Sequence, residues 1–398
     1  MSLHTTSRLR TTAVSTLAAL ALVGAAAPAN AVAPGGPDRS FGQRGTVTTE
    51  VGGDDVAQDV VVQPNGKIVV VGSSDGKVVV ARYKPDGRPD RSFSGDGRVV
   101  TDLGVPGGYG GQAVALQADG KIVVGGSNGD YAMAVLRYTP TGQLDRTFSG
   151  DGIFLRDNEE DHNSGTDDLL IQPNGKIVAL GWDLVRIKPG GVLDPKFTPV
   201  DVTSEGQGYR RVARLSTGDY LLASSSDCNT AELNRFSAST GEQVASWDQH
   251  TGRPAGAAAV GLHVLAQDRT LVVSDGASTA DCNHVHGITL ERYLPTGRPD
   301  GSFGPGGARF VGSGRFPAGV GDISPVNSAI GPGGQIVVVG AHYVARFTKA
   351  GKLDRSFGGG IVGLGPVSGK AVVVQPDQKI VVAGGSGSDL AVRRYQGR

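Results

Sequence analysis

A short string returns along this chain at a nearly fixed interval, and that periodicity restricts the fold more than any other feature. Asp38-Arg39-Ser40-Phe41-Gly42 comes back as Asp90-Arg91-Ser92-Phe93, Asp145-Arg146-Thr147-Phe148, Asp194-Pro195-Lys196-Phe197, Asp300-Gly301-Ser302-Phe303-Gly304 and Asp354-Arg355-Ser356-Phe357-Gly358, with a degenerate copy at Ala245-Ser246-Trp247. The aromatic positions 41, 93, 148, 197, 247, 303 and 357 lie 52, 55, 49, 50, 56 and 54 residues apart. Each unit of such an array buries its apolar faces only against its neighbours. An interval of this size suits one four-stranded β-blade with its loops.

Inside a unit the local code is a hairpin followed by further strands. The β-branched run at residues 59–63 is followed by Pro64-Asn65-Gly66 and a returning run at residues 67–72, the Asn-Gly signal of a tight hairpin. Equivalent turns sit at Asp119-Gly120, Asn174-Gly175 and Gly333-Gly334, with weaker versions at Gly218-Asp219, Asp268-Arg269 and Asp377-Gln378. A third strand ends in Arg82-Tyr83, matched by Arg137-Tyr138, Arg186-Ile187, Arg235-Phe236, Arg292-Tyr293, Arg346-Phe347 and Arg394-Tyr395. Near-continuous Val/Ile runs predict strands covered on both faces. Gly (63) and Pro (21) make about a fifth of the 398 residues, which disfavours long helices.

The two ends are complementary. The N-terminal part holds only the last piece of a unit, with a single strand near residues 45–50, and the C-terminal part holds three strands and stops where a fourth is due. Pairing them closes a ring and hides its edge strands. The expected fold is all-β: a seven-bladed β-propeller of four-stranded antiparallel blades over residues 34–395, the N-terminal strand completing the last blade. An open β-solenoid is the alternative, and it leaves the complementary ends unexplained.

The string Gln63-Pro64-Asn65-Gly66-Lys67-Ile68-Val69-Val70, Ala81-Arg82-Tyr83, Pro85-Asp86-Gly87 and Asp90-Arg91-Ser92-Phe93-Ser94-Gly95-Asp96-Gly97 resembles the delta-60 repeat family of secreted or cell-surface bacterial proteins. Units four and five depart from it, with Ser216-Thr217-Gly218 and Ala266-Gln267-Asp268 in place of the Gln-Pro-Asn-Gly string. The resemblance implies a propeller and an extracellular address. It implies no catalytic residue.

Residues kept in every copy report what a blade needs to fold, so the repeated Arg, Asp and Phe are expected to tie turns to neighbouring strands. Function is sought where the copies differ, and they differ most in the loops between strands two and three and in the inter-blade links, all at one end of the ring. Tyr109, Tyr209 and Phe316 there are candidate ligand-binding aromatics for a sugar or peptide. Asp161 and His162 lie in an acidic loop at residues 157–168, which reads better as a solvated loop than as a cation site because its spacing fits no calcium loop. Asp281, His284 and His286 make only a weak transition-metal signal. No nucleophile elbow or phosphate-binding strand–loop–helix is present. No catalytic residue, metal or cofactor is assigned. With Lys plus Arg equal to Asp plus Glu at 38 each, no basic field gathers nucleic acid. The expectation is a non-enzymatic extracellular monomer that binds a glycan, cell-wall or protein ligand through its variable-loop face. The alternative is a secreted polysaccharide hydrolase or lyase with carboxylates at the central channel.

Residues 1–31 read as an export signal: Arg8 and Arg10, an apolar run at residues 17–27, and Ala29 and Ala31 around Asn30, with cleavage after Ala31. That run of 11 residues is well short of the roughly 20 a spanning helix needs. The only two cysteines, Cys228 and Cys282, occupy parallel strings, Asp227-Cys228-Asn229 and Asp281-Cys282-Asn283, in equivalent loops of adjacent units. An exported chain meets an oxidising environment, so a disulfide joining them is expected, worth roughly 4 kcal/mol in the chain-entropy model. Thiol titration of the unreduced, denatured protein checks it: no free thiol is expected, and two per chain would refute the bridge.

Overall fold

Pro64-Asn65-Gly66 turns the chain as its sequence dictates. Gln63 N–H donates to Lys67 O, Asn65 Oδ1 accepts from Lys67 N–H at 3.1 Å, and Gly66 takes φ +80°. Such a turn fixes the register of the hairpin it closes, here Asp55–Val62 against Ile68–Ser74 with Val62 opposite Ile68. In the computed structural model, residues 32–104, 109–128, 132–156, 165–202, 208–225, 231–247, 258–278, 284–318 and 320–398 are described. Residues 1–31, expected to be an export signal, and Asp161, His162, Cys228, Asp281 and Cys282 lie outside the described residues.

Each blade is a four-stranded antiparallel sheet, and in six of the seven the strands lie in chain order. Blade one consists of Asp55–Val62, Ile68–Ser74, Lys77–Tyr83 and Arg98–Thr101. Blades two to six repeat the plan, beginning at Gly110–Leu116, Asp168–Ile171, Gly208–Arg214, Ala259–Val264 and Pro325–Ile330. Blade seven takes Ser368–Val374, Ile380–Ser386 and Asp389–Tyr395, and its fourth strand is the N-terminal Thr46–Thr49, with Val47 opposite Val392. The ring of seven blades is thus closed by pairing its two ends. No described helix is long and apolar enough to cross a membrane.

Second and third strands carry the core. Ile68, Val69, Val70, Val71 and Val78, Val79, Val80 are all 0% exposed, because both faces of a middle strand press on a neighbouring blade. The core is accordingly a series of apolar layers in the seams between blades.

The repeated Arg, Asp and Phe form a three-armed clamp. Arg82 Nε donates to Asp90 Oδ2 at 2.7 Å, its Nη2 to Ser92 Oγ at 3.1 Å, and its Nη1 to Pro140 O of the next blade at 2.6 Å, while its Cζ stands 4.7 Å over the Phe93 ring. Arg137, Arg186, Arg346 and Arg394 each pair with their own Asp and reach a carbonyl of the following blade. Arg394 pairs with Asp38 and reaches Pro85 O, carrying the clamp across the closure. Blade four has no such Asp, and Arg235 turns instead to Asp219 of its own hairpin.

Candidate functional site

The first strands of all seven blades line a central channel of about 550 Å³. Three residues before the pair that closes each hairpin, the register puts Asp59, Ala113, Asp168, Arg211, Gly261, Asn327 and Ala371 at one equivalent position. The backbone is the same seven times and the chemistry is not. In six blades a bulge immediately precedes this position, an irregularity that turns side chains such as Gln58, Gln112 and Lys370 into the channel.

Asp59 Oδ2 accepts from Val114 N–H of blade two at 2.8 Å, and Oδ1 from Val60 N–H at 2.8 Å. Asp168 repeats this with Val212 N–H of blade four at 2.9 Å and Leu169 N–H at 2.9 Å. Arg211 Nε donates to Val260 O of blade five at 3.0 Å. Burial pushes Asp59 up to about 7, the charge of Asp168 adds to it, and the two amides and Arg211 oppose it. Asp168 and Asp167 are also raised by burial, against the pull of nearby arginines.

One position further along, Val60, Val114, Leu169, Val212, Leu262 and Val372 are apolar and only blade six differs, with Ser328; at the position after that, only blade five differs, with His263. Successive strand side chains point to opposite sides, so His263 faces blade six and Ser328 faces blade five. They meet with Nε2 and Oγ 2.8 Å apart. Gly261 leaves room for the pair, since a Cβ there would stand 1.8 Å from Ser328 Oγ. Burial, aided by Arg211, pulls His263 down to about 4, so the ring is neutral at pH 7.

The sequence-derived aromatics do not gather at one place. Tyr109 is 45% exposed and lines the channel at its loop-side mouth. Tyr209 is 6% exposed in the first strand of blade four, its ring edge-on to Phe236 at 6.2 Å and its hydroxyl bonded to Asn234 Nδ2. Phe316 packs edge-on against Tyr343 at 4.9 Å. His286 Nδ1 lies 3.1 Å from Ser324 Oγ, and among the described residues no group of three or more His, Cys, Asp or Glu is arranged to hold a metal. Sequence reasoning did not find the channel residues, although aligning the seven units on their hairpins places Asp59, Asp168, Arg211 and Asn327 in one column.

Titration of Asp59 has a measurable consequence. Its folded-state value is raised, so its contribution to stability is complete below the ordinary value of about 4 and is lost as pH rises through about 7. Asp59→Asn mimics the protonated form. Its melting temperature is expected to exceed the parent's at pH 8 by more than at pH 5, and an equal difference at both pH values would show that Asp59 titrates normally.

Fold and channel together define a closed propeller with a polar central site on an otherwise structural scaffold. Residues 63–93, 117–148 and 172–197 match the family model described as "Domain of unknown function (DUF5122) beta-propeller", which supports a family of propeller repeats. No curated protein matches the sequence. Among solved structures, the virginiamycin B lyase of Staphylococcus aureus is similar with a TM-score of 0.58 at 12% identity, over 88% of this chain and 98% of that one. The WD40 propeller domain of Doa1 gives 0.57 at 16% identity, over 88% and 96%. YCF48 bound to D1 peptide gives 0.52 at 12% identity, over 93% and 99%. These likenesses establish the shared fold.

Proposed function

We propose that the protein is an exported, non-enzymatic binding propeller that takes the end of a glycan chain in the loop-side half of its channel. The observation that carries this reading is the divergence of the seven equivalent inner-strand positions, which supplies carboxylates, amides and a cation on one rigid frame. Hydroxyl-rich ligands are held by such mixed donor and acceptor sets, and the exposed ring of Tyr109 at the rim offers a stacking face. Export rests on the N-terminal signal, so sequencing of the secreted protein is expected to begin at Val32.

The test is a glycan and cell-wall binding screen on residues 32–398, followed by titration of whichever glycan is retained. Tyr109→Ala and Asp167→Asn are expected to weaken binding, the first by roughly fivefold for loss of about 1 kcal/mol of aromatic contact, and neither is expected to lower the melting temperature. Retention of no glycan, or undiminished binding by both variants, would overturn the reading.

A second reading is favoured by one observation. Asp59, pushed up to about 7, stands near a second carboxylate, Asp168, and near Arg211. A carboxyl group held protonated near neutral pH beside a second carboxyl group can serve as the acid of polysaccharide cleavage. A polysaccharide hydrolase and lyase panel separates the two readings: turnover abolished in Asp59→Asn supports the enzyme, and binding without turnover supports the module. The solved relatives in fold include both a lyase and a peptide-bound protein, so the scaffold is compatible with either.

A further inference from the structure

At the opposite end of the ring from Tyr109, the seam between blades five and six opens into a cleft of about 1050 Å³. Two side chains that span other seams are missing here. The residue after the first strand is Gln63, Gln117, Gln172 and Gln375 in blades one, two, three and seven; Gln117 Nε2 reaches Gly175 O of blade three and Gln172 Nε2 reaches the Tyr220 hydroxyl of blade four. The same position holds Leu265 in blade five, so no such side chain crosses from there to blade six. The inter-blade arm of the clamp is also absent. Arg292 keeps Asp300 at 2.9 Å and Ser302 at 3.0 Å, yet among the described residues it makes no hydrogen bond to blade six, where Ala350 O accepts from Arg309 Nε instead.

The opening is apolar in its body and positive at its rim. Leu265 and Ile330 line it, together with Arg214, Arg269, Arg292 and Lys349, and no Asp or Glu is among its lining residues. Asp300 behind the wall is shared by Arg292 at 2.9 Å and Arg269 at 3.4 Å, so one carboxylate faces two guanidinium groups. Arg214 and Lys349 are exposed. His263 and Ser328 form the inner end, the wall that this cleft shares with the channel.

We infer that this cleft binds a small anionic amphiphile, its apolar body between Leu265 and Ile330 and its carboxylate or sulfonate head at Arg214, Arg269 and Lys349. Apolar burial supplies the attraction, and the excess of cations selects the head group. The site is separate from the glycan reading of the channel and does not depend on it.

The experiment is a fluorescence titration of residues 32–398 with 8-anilinonaphthalene-1-sulfonate. Saturable binding at one site per chain is expected, displaced by dodecanoate but not by dodecanol. Arg214→Glu combined with Lys349→Glu reverses two exposed charges without touching the core, and it is expected to weaken binding at least tenfold. Leu265→Gln places in blade five the polar side chain that blades one, two, three and seven carry there, and is expected to weaken binding at least tenfold by removing apolar wall from the cleft, whereas Tyr109→Ala in the channel leaves it unchanged. Non-saturable fluorescence, equal displacement by dodecanol, or full affinity in the charge-reversed protein would overturn the inference.

Discussion

Deleting residues 34–51 from the folded chain is expected to open the ring and leave a protein that aggregates. Three contributions go with the segment. Phe41, 0% exposed, leaves the core layer between blades seven and one, and a truncation of that kind alone costs roughly 3 to 5 kcal/mol. Asp38 leaves Arg394 without its carboxylate in a site where the arginine side chain is only 5% exposed. The strand Thr46–Thr49 uncovers the edge of Asp389–Tyr395, whose free amides and carbonyls then pair with other chains. A fall in melting temperature on the order of 10 °C or more follows. A truncated protein that elutes as a monomer and melts like the parent would refute closure by strand pairing.

Breaking a single clamp in a well-formed blade is expected to cost more than breaking its degenerate counterpart. Arg137 and Asp145 are 4% and 6% exposed at the side chain, so Asp145→Ala leaves a buried guanidinium uncompensated, at roughly 3 to 5 kcal/mol. Arg235 and Asp219 in blade four are 30% and 21% exposed, and Asp219→Ala is expected to cost about 1 kcal/mol. Acid provides an independent readout. Burial alone would raise Asp145, but hydrogen bonds from Thr147 and the charges of Arg137 and Lys121 overcome it and hold the carboxyl at about 2. Asp194, bonded by Lys176 and Arg186, is likewise held at about 2. A depressed carboxyl contributes stability that is present above its ordinary value of about 4 and lost as pH falls toward its folded value. Stability is therefore expected to drop between pH 4 and 2, with a shallower drop in Asp145→Ala. Denaturant melts at pH 7, 4 and 2 measure both effects, and equal losses for the two variants would show that burial does not set the strength of the clamp.

The architecture was legible because its determinants are local and repeated. Asn65-Gly66 fixes a hairpin from within a few residues, the Val/Ile runs announce strands covered on both faces, and the interval between aromatic residues counts the blades. The recurring Arg, Asp and Phe were readable as structural for the same reason, and Arg82, Asp90 and Phe93 do tie a turn to its own and the next blade. Tyr209 shows where local reading stopped. Its Gly-rich surroundings suggest a loop, yet the first strand of blade four runs from Gly208 and draws the ring into the seam against Phe236. The channel was out of reach for a different reason. Asp59, Asp168 and Arg211 stand on different blades, and His263 and Ser328 are 65 residues apart. Strand alternation says only that such side chains lie to one side or the other of a blade. Their convergence, the desolvation that shifts Asp59 and His263, and the missing bridge between blades five and six arise only once the ring closes and brings every first strand to a common axis.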